Sequence, residues 1–449
     1  MAATLIYNAL ICNEGKQYTG FVYINQEYIE ATGEGNAPDE WFEKAQIKMD
    51  AKGMLLLPGL IDDQVHFREP GLTYKGDLFT ESRAAVAGGI TTFMEMPNTI
   101  PGAVTGELLE QKYQRASEVS LANYSFFMGT TNDNADEILK LDYSKICGIK
   151  IFLGSSTGNM LVNNCHQIER LFKEAQVPIL THCEDDVLIA ENLKRAKEQY
   201  GDDIPPRMHP VIRDAEACYR SSSQTVELAH KHGTQLHVLH ISTARELSLF
   251  EPGHDIESKK VTAEACVHHC WFTEHDYDSK GNYIKWNPAV KSLADREAIR
   301  EAIRTGRIDI LATDHAPHTH EEKSKPYTQA PSGGPLVQHA LQAWLELVDQ
   351  GVLSLELLVK KACHHPAILF KVHKRGFIRK GYYADLVLVN RDAPYKVSTQ
   401  NILYKCGWSP FEGHTFNSSV HQTWVNGNLV YDQGRIIDES KGKRLIFER

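Results

Sequence analysis

The chain has 449 residues, 42% of them hydrophobic and 24% charged, with a formal net charge of -10. That length suits one large domain with a small companion, or two or three medium ones, and the acidic balance argues against nucleic acid as a partner, since phosphate binding rests on clustered Lys and Arg. No apolar run reaches the roughly 18 residues needed to cross a bilayer, so no membrane association is expected, and nine scattered cysteines fit a reducing compartment.

The N-terminus, MAATLIYNALICNEG, lacks a basic stretch ahead of an apolar one, which predicts no signal peptide and a cytoplasmic address. Residues 4–30 alternate apolar and polar, with turn signals at Asn13-Glu14-Gly15 and Thr19-Gly20, and read as short antiparallel strands. Residues 33–48 are polar and turn-rich. From there the pattern changes to apolar runs of strand length separated by segments of helical period, the signature of repeated βα units.

The runs cover 55–65, 90–96, 124–128, 146–153, 177–182, 235–241, 260–268 and 308–313, and most of the intervening helices are read at 84–88, 108–119, 168–175, 187–200, 215–232 and 295–306. His66, Asn98, Lys150, His182, His240 and Asp314 each stand at or just past the end of a different run. A closed barrel gathers such ends at one mouth, whereas an open sheet spreads them out. The prediction is therefore an α/β fold, a (β/α)8 TIM barrel over 56–373. Further helices are read at 336–350 and 353–370. Short strands return at 384–389, 421–425 and 428–431, so the two ends of the chain, 1–55 and 374–449, are expected to build a small β-sandwich domain together.

The stretch LPGLIDDQVHFREPG at 57–71 carries the densest chemistry. A period of 2 puts Asp62, Gln64 and His66 on one face, and a polar face inside an apolar strand is costly unless something pairs with it. A cation would satisfy an Asp, a His and an amide oxygen together. Lys150, between Ile149 and Ile151, must deprotonate or find negative charge. A neutral lysine amine that captures carbon dioxide becomes a carbamate, an anion able to bridge two divalent metals. The group CVHHC at 266–270 is too short for one tetrahedral site and reads as a strand with its cysteines packed inward.

VHFREPG at 65–71, MPNT at 96–99, Lys150 in GIKIF, His182 in THCE, His240 in LHIS, ATDHAPH at 312–318 and GFIRKGYYADLVLV at 376–389 resemble the amidohydrolase superfamily, and within it the dihydroorotases. The resemblance implies Zn2+, one or two ions per chain. His66 and Asp314 would hold one metal, His182 and His240 the other, with Lys150 as a bridging carboxylysine. It further implies that Asp314 shuttles the proton, that Arg68 grips a substrate carboxylate, and that Asn98, Asn287 and His318 add hydrogen bonds. The reaction implied is the interconversion of dihydroorotate and N-carbamoyl-L-aspartate in pyrimidine biosynthesis. GSSTG at 154–158 reads as a mobile cover, and a homodimer is the default for a cytoplasmic enzyme of this size.

Gln64 departs from that pattern, standing where such relatives carry a histidine. An amide oxygen holds zinc more weakly than imidazole. Three readings stay open: two metals with Gln64 a weak ligand or none, one metal held through Lys150, His182 and His240, or no catalysis. The competing functions are another cyclic amidohydrolase (hydantoinase, dihydropyrimidinase or allantoinase), whose neutral ring gives Arg68 nothing to pair with, and a silent scaffold for aspartate transcarbamoylase.

Overall fold

A computed structural model describes residues 2–154 and 160–449. Eight parallel strands form the barrel: Leu60–Val65, Ile90–Glu95, Asn123–Phe126 with its continuation Met128–Gly129, Ile149–Phe152, Ile179–His182, Leu236–Val238, Val261–Cys266 and Ile310–Ala312. The ring closes where Val65 bridges His315 in parallel and the His66 N–H donates to the His315 carbonyl at 2.7 Å. These strands are buried along their whole length, which is why they appear in the sequence as near-continuous apolar runs rather than alternating ones.

The outer helices start where short polar side chains accept the first free N–H groups: Asp77, Thr105, Asn164, Asp185, Asp214 and Ser292. The capping box of Asp77 and Thr80 opens the first of these helices at Leu78, a turn and a half before the apolar segment at 84–88. At the end of the barrel away from the site, Ile61, Met94, Phe127, Leu180 and Ile310 pack against Leu369, Phe370, Val372 and Phe447. The segment 369–372 and Phe447 together plug the floor.

The remaining sheet draws on both chain ends, as expected. Its nine strands include Thr4–Asn13, Lys16–Asn25, Tyr28–Glu34, Leu55–Pro58, Leu386–Asn390, Ser419–Val425 and Asn428–Asp432, around a core of Ile6, Ile11, Val22, Leu56, Leu386 and Trp424. Among the described residues, no helix is long and apolar enough to cross a membrane.

Three local readings are corrected. The run at 55–65 is two strands: Leu55–Pro58 pairs with Leu386–Asn390 in the outer sheet, and Leu60–Val65 enters the barrel. They meet at Gly59, where a Cβ would lie 2.2 Å from Thr91 Cγ2, so only glycine lets the chain pass. The seventh barrel strand ends at Cys266, and the histidines of CVHHC open the short helix Val267–Trp271. The helix read at 353–370 runs from Leu355 to Leu369 and widens to a π-helical turn at Lys360–His364, just before Pro366, which has no N–H to continue the α ladder. Of the segment 154–158, all but Gly154 lies outside the described residues.

Gly59→Ala is expected to cost about 1–3 kcal/mol through overpacking against Thr91, with part of the loss recovered in Gly59→Ala/Thr91→Gly; urea denaturation of the two variants checks it.

Candidate active site

His66, Arg68, Asn98, Lys150, His182, His240, Asn287, Asp314 and His318 line one cavity of about 340 Å³ at the C-terminal ends of the barrel strands, with Gln64 beside them; Asp62 does not join them. The strands deliver them abruptly. Arg68, His240 and Asp314 have φ of 73°, 39° and 49°, left-handed conformations that side chains other than glycine adopt only where surrounding structure enforces them.

His66 and His182 are held in defined tautomers. His66 Nδ1 is 2.8 Å from Asn98 Oδ1, an oxygen that can only accept, so Nδ1 carries the proton. Its Nε2 lone pair then faces Asp314 Oδ1 at 3.2 Å. His182 donates Nε2–H to Glu184 Oε2 at 2.9 Å, and Arg213 grips the same carboxylate. That leaves His182 Nδ1 bare, 3.0 Å from His240 Nε2. Burial pushes the Lys150 amine down to about 7 against the pull of Asp314 and Glu264, so its neutral form is populated at neutrality. Burial also pushes the Asp314 carboxyl up to about 7, opposed by Lys150, His182 and Arg68. Gln64 turns its amide N–H to Asp314 Oδ1 at 3.2 Å and its oxygen toward Cys266 Sγ at 3.8 Å.

Lone pairs that face each other at hydrogen-bond distance are repulsive unless a proton or a cation lies between them. Imidazole ligands whose far nitrogen donates to a carboxylate or amide oxygen are a recurrent metal-site arrangement, so the donor set at this mouth suits a divalent ion.

Beside this cluster the cavity wall turns cationic. Arg68 is 5% exposed and donates Nε–H to the Pro317 carbonyl at 3.1 Å. Lys75 donates to His318 Nδ1 at 2.9 Å and pairs with Glu322. The His318 proton is therefore on Nε2, which donates to the Ser332 carbonyl at 3.0 Å. Arg68 Nη2, 3.1 Å from that nitrogen, faces a donor rather than an acceptor. Among the described residues no carboxylate lies within ion-pair distance of Arg68. Asn287 Oδ1 is buried without a hydrogen-bond partner, whereas the oxygen of Asn98 is committed to His66.

The Amidohydrolase family profile matches residues 55–430. The chain belongs to the amidohydrolase family. A dihydroorotase of Halobacterium salinarum is 34% identical over 384 residues, covering 84% of this chain and 86% of its own. One of Methanothermobacter thermautotrophicus is 30% identical over 410 residues, covering 90% of each. Among solved structures, the L-hydantoinase (dihydropyrimidinase) of Arthrobacter aurescens superposes with a TM-score of 0.91 at 24% identity, over 99% of this chain and 100% of that one. A dihydropyrimidinase of Brevibacillus agri gives 0.88 at 22%, over 100% of both. Within the family this protein is of the cyclic-amidohydrolase kind.

Sequence reasoning missed several residues of this amidohydrolase. Glu184, the last residue of THCE, and Lys75, a few residues past REPG, set the tautomers of His182 and His318, and no role is read for either from the sequence. Deeper in the barrel Asp63, His237 and Glu264 converge, able to chelate a metal ion. The alternation expected for Asp62, Gln64 and His66 is also corrected: the strand pairing shifts register between Asp62 and Val65. Asp62 leaves that face to accept from the Thr313 N–H and hydroxyl, and Asp63 reaches His237 instead.

Although burial opposes ionisation of Glu184, Arg213 and His182 outweigh it and hold the carboxyl down to about 2 from 4.5. A depressed carboxyl contributes stability above its unfolded value, lost as pH falls through the folded one. Glu184→Gln is therefore expected to be less stable than wild type at about pH 6, with the gap narrowing toward about pH 2; denaturant titrations at both ends of that range check it.

Proposed function

We propose that this cyclic amidohydrolase is a dihydroorotase, hydrolysing the ring amide of dihydroorotate to N-carbamoyl-L-aspartate and closing the ring in reverse. The observation that carries this reading is Arg68: a buried guanidinium without a carboxylate partner among the described residues, facing the cavity. An unpaired buried charge is costly, and a substrate carboxylate offers it a bidentate partner. The dihydroorotase relatives support the same reading.

In this reading His66 and Asp314, His182 and His240, and Lys150 as a carboxylysine hold zinc, one ion or two. Bound there, the metal supplies Lewis acidity to the amide carbonyl and to water. Asp314 takes the proton of the attacking water and returns it to the ring nitrogen as the carbon–nitrogen bond breaks. Asn98 and Glu184 keep the imidazole lone pairs aimed inward. Arg68 and His318 bind the carboxylate end, and Asn287 offers its free oxygen to a ring N–H.

The second reading, hydrolysis of a neutral cyclic ureide, draws on the likeness in fold to hydantoinases, and Arg68 separates the two. Arg68→Ala is expected to raise KM for dihydroorotate about 10- to 100-fold, the loss of a charged hydrogen-bond pair, in steady-state assays of purified protein. Efficient turnover of hydantoin or dihydrouracil, unaffected by Arg68→Ala, would overturn the dihydroorotase reading in favour of the second. Dialysis against a chelator is expected to abolish turnover and added zinc to restore it; unchanged activity in metal-free protein would count against the ligand set.

A further inference from the structure

One layer below the mouth, Asp63 meets two side chains from the far side of the barrel interior, His237 and Glu264, which stand on adjacent paired strands. His237 Nε2 lies 3.3 Å from Asp63 Oδ2 and 3.9 Å from Glu264 Oε2, and one ligand atom from each residue falls within 4.8 Å of the others. All three residues are 0% exposed. Neither oxygen of Asp63 has a hydrogen-bond partner, and neither do Glu264 Oε2 and His237 Nε2.

The tautomer of His237 decides what this meeting means. Thr262 spends its hydroxyl proton on the Leu236 carbonyl at 3.2 Å, so its oxygen accepts from His237 Nδ1–H at 2.8 Å. The other ring nitrogen, Nε2, then points at two carboxylates. Burial opposes a charge there, but with no cation present Asp63 and Glu264 outweigh it and raise the imidazole to about 9; a metal ion would displace that proton. Ligands about 2.0–2.2 Å from a common tetrahedral ion stand about 3.3–3.6 Å apart; the Asp63 separation of 3.3 Å fits and the Glu264 separation of 3.9 Å needs only a small inward shift.

We propose that Asp63, His237 and Glu264 bind a divalent metal ion, buried beneath the mouth and distinct from any ion held by His182 and His240. Two carboxylates and a neutral imidazole balance a charge of 2+ without residue, and such nitrogen and oxygen donors suit zinc, manganese or iron(II). The register shift before Val65 turns Asp63 into this layer beside Gln64, so the chain carries an acidic donor one residue ahead of the position where an amide replaces the imidazole. The other oxygen of Glu264 accepts from the His240 backbone N–H at 2.9 Å and lies 3.1 Å from Cys266 Sγ. An ion here would brace the strand end that presents His240. The enclosure also makes the ion slow to exchange. None of this depends on the substrate assigned above.

The test is metal counting on the full chain after prolonged chelator dialysis, with zinc as the probe, alongside anomalous diffraction at the zinc edge. The wild type is expected to retain about one zinc per chain. His182→Ala/His240→Ala should retain it, Asp63→Asn/Glu264→Gln should lose it, and an anomalous peak should lie among the three side chains. No peak there in wild-type crystals, or a resistant zinc undiminished in Asp63→Asn/Glu264→Gln, would overturn the proposal and leave the triad an imidazolium between carboxylates. Where a variant fails to fold, the wild-type anomalous map decides alone, and it separates the buried position from the mouth.

Discussion

The imidazoles of the barrel interior are fixed from outside by hydrogen bonds, and the rest of the site depends on the direction those bonds impose. Asn98 takes the proton side of His66, Glu184 that of His182 and Thr262 that of His237. Each outward hydrogen bond leaves the other ring nitrogen aimed inward. In a low-dielectric interior lone pairs cannot be left facing one another, so a proton or a cation must lie between them. The interior is layered accordingly, with an apolar floor, a buried triad and a mouth lined with nitrogen and oxygen donors.

A ring of fixed loops supports that mouth. Glu95 accepts the Phe67 N–H at 2.8 Å and pairs with Lys112, setting the turn that carries Arg68. His315 is held between Glu81 and the Leu336 N–H, which anchors the loop after the last barrel strand. Two buried lysines serve as scaffolding: Lys323 donates to the carbonyls of Lys285, Pro331 and Gly333, and Lys285 to those of Tyr327 and Ala330. The backbone near Ser332 is thereby shaped by lysine side chains rather than by regular secondary structure. These contacts offset the left-handed strain at Arg68 and Asp314, of order 1–3 kcal/mol per residue.

The barrel was legible in the sequence because strands buried on both faces leave uninterrupted apolar runs, and chemically unusual residues at their ends single out one mouth. His66, Lys150, His182, His240 and Asp314 could be placed together on that ground alone. Asp63 could not, because a register shift breaks the alternation that sequence reading relies on. Nor could its meeting with His237, which spans the lumen between strands that share no hydrogen bonds and so depends on barrel closure. Gly59 was hidden for a related reason: an apolar run looks continuous whether its residues pair in one sheet or two, and the steric conflict with Thr91 exists only once the second strand is in place.

That glycine has a mechanical consequence. The chain passes from the outer sheet into the barrel through a single residue, with Leu57 paired to Val387 on one side and Leu60 to Ile90 on the other. Asp385 ties the junction further, accepting from Arg375, Asn123 and the Asn426 N–H. Backbone pairing thus carries the outer sheet directly into the barrel wall, so a strain applied to one is passed to the other through hydrogen-bonded strands rather than through a linker.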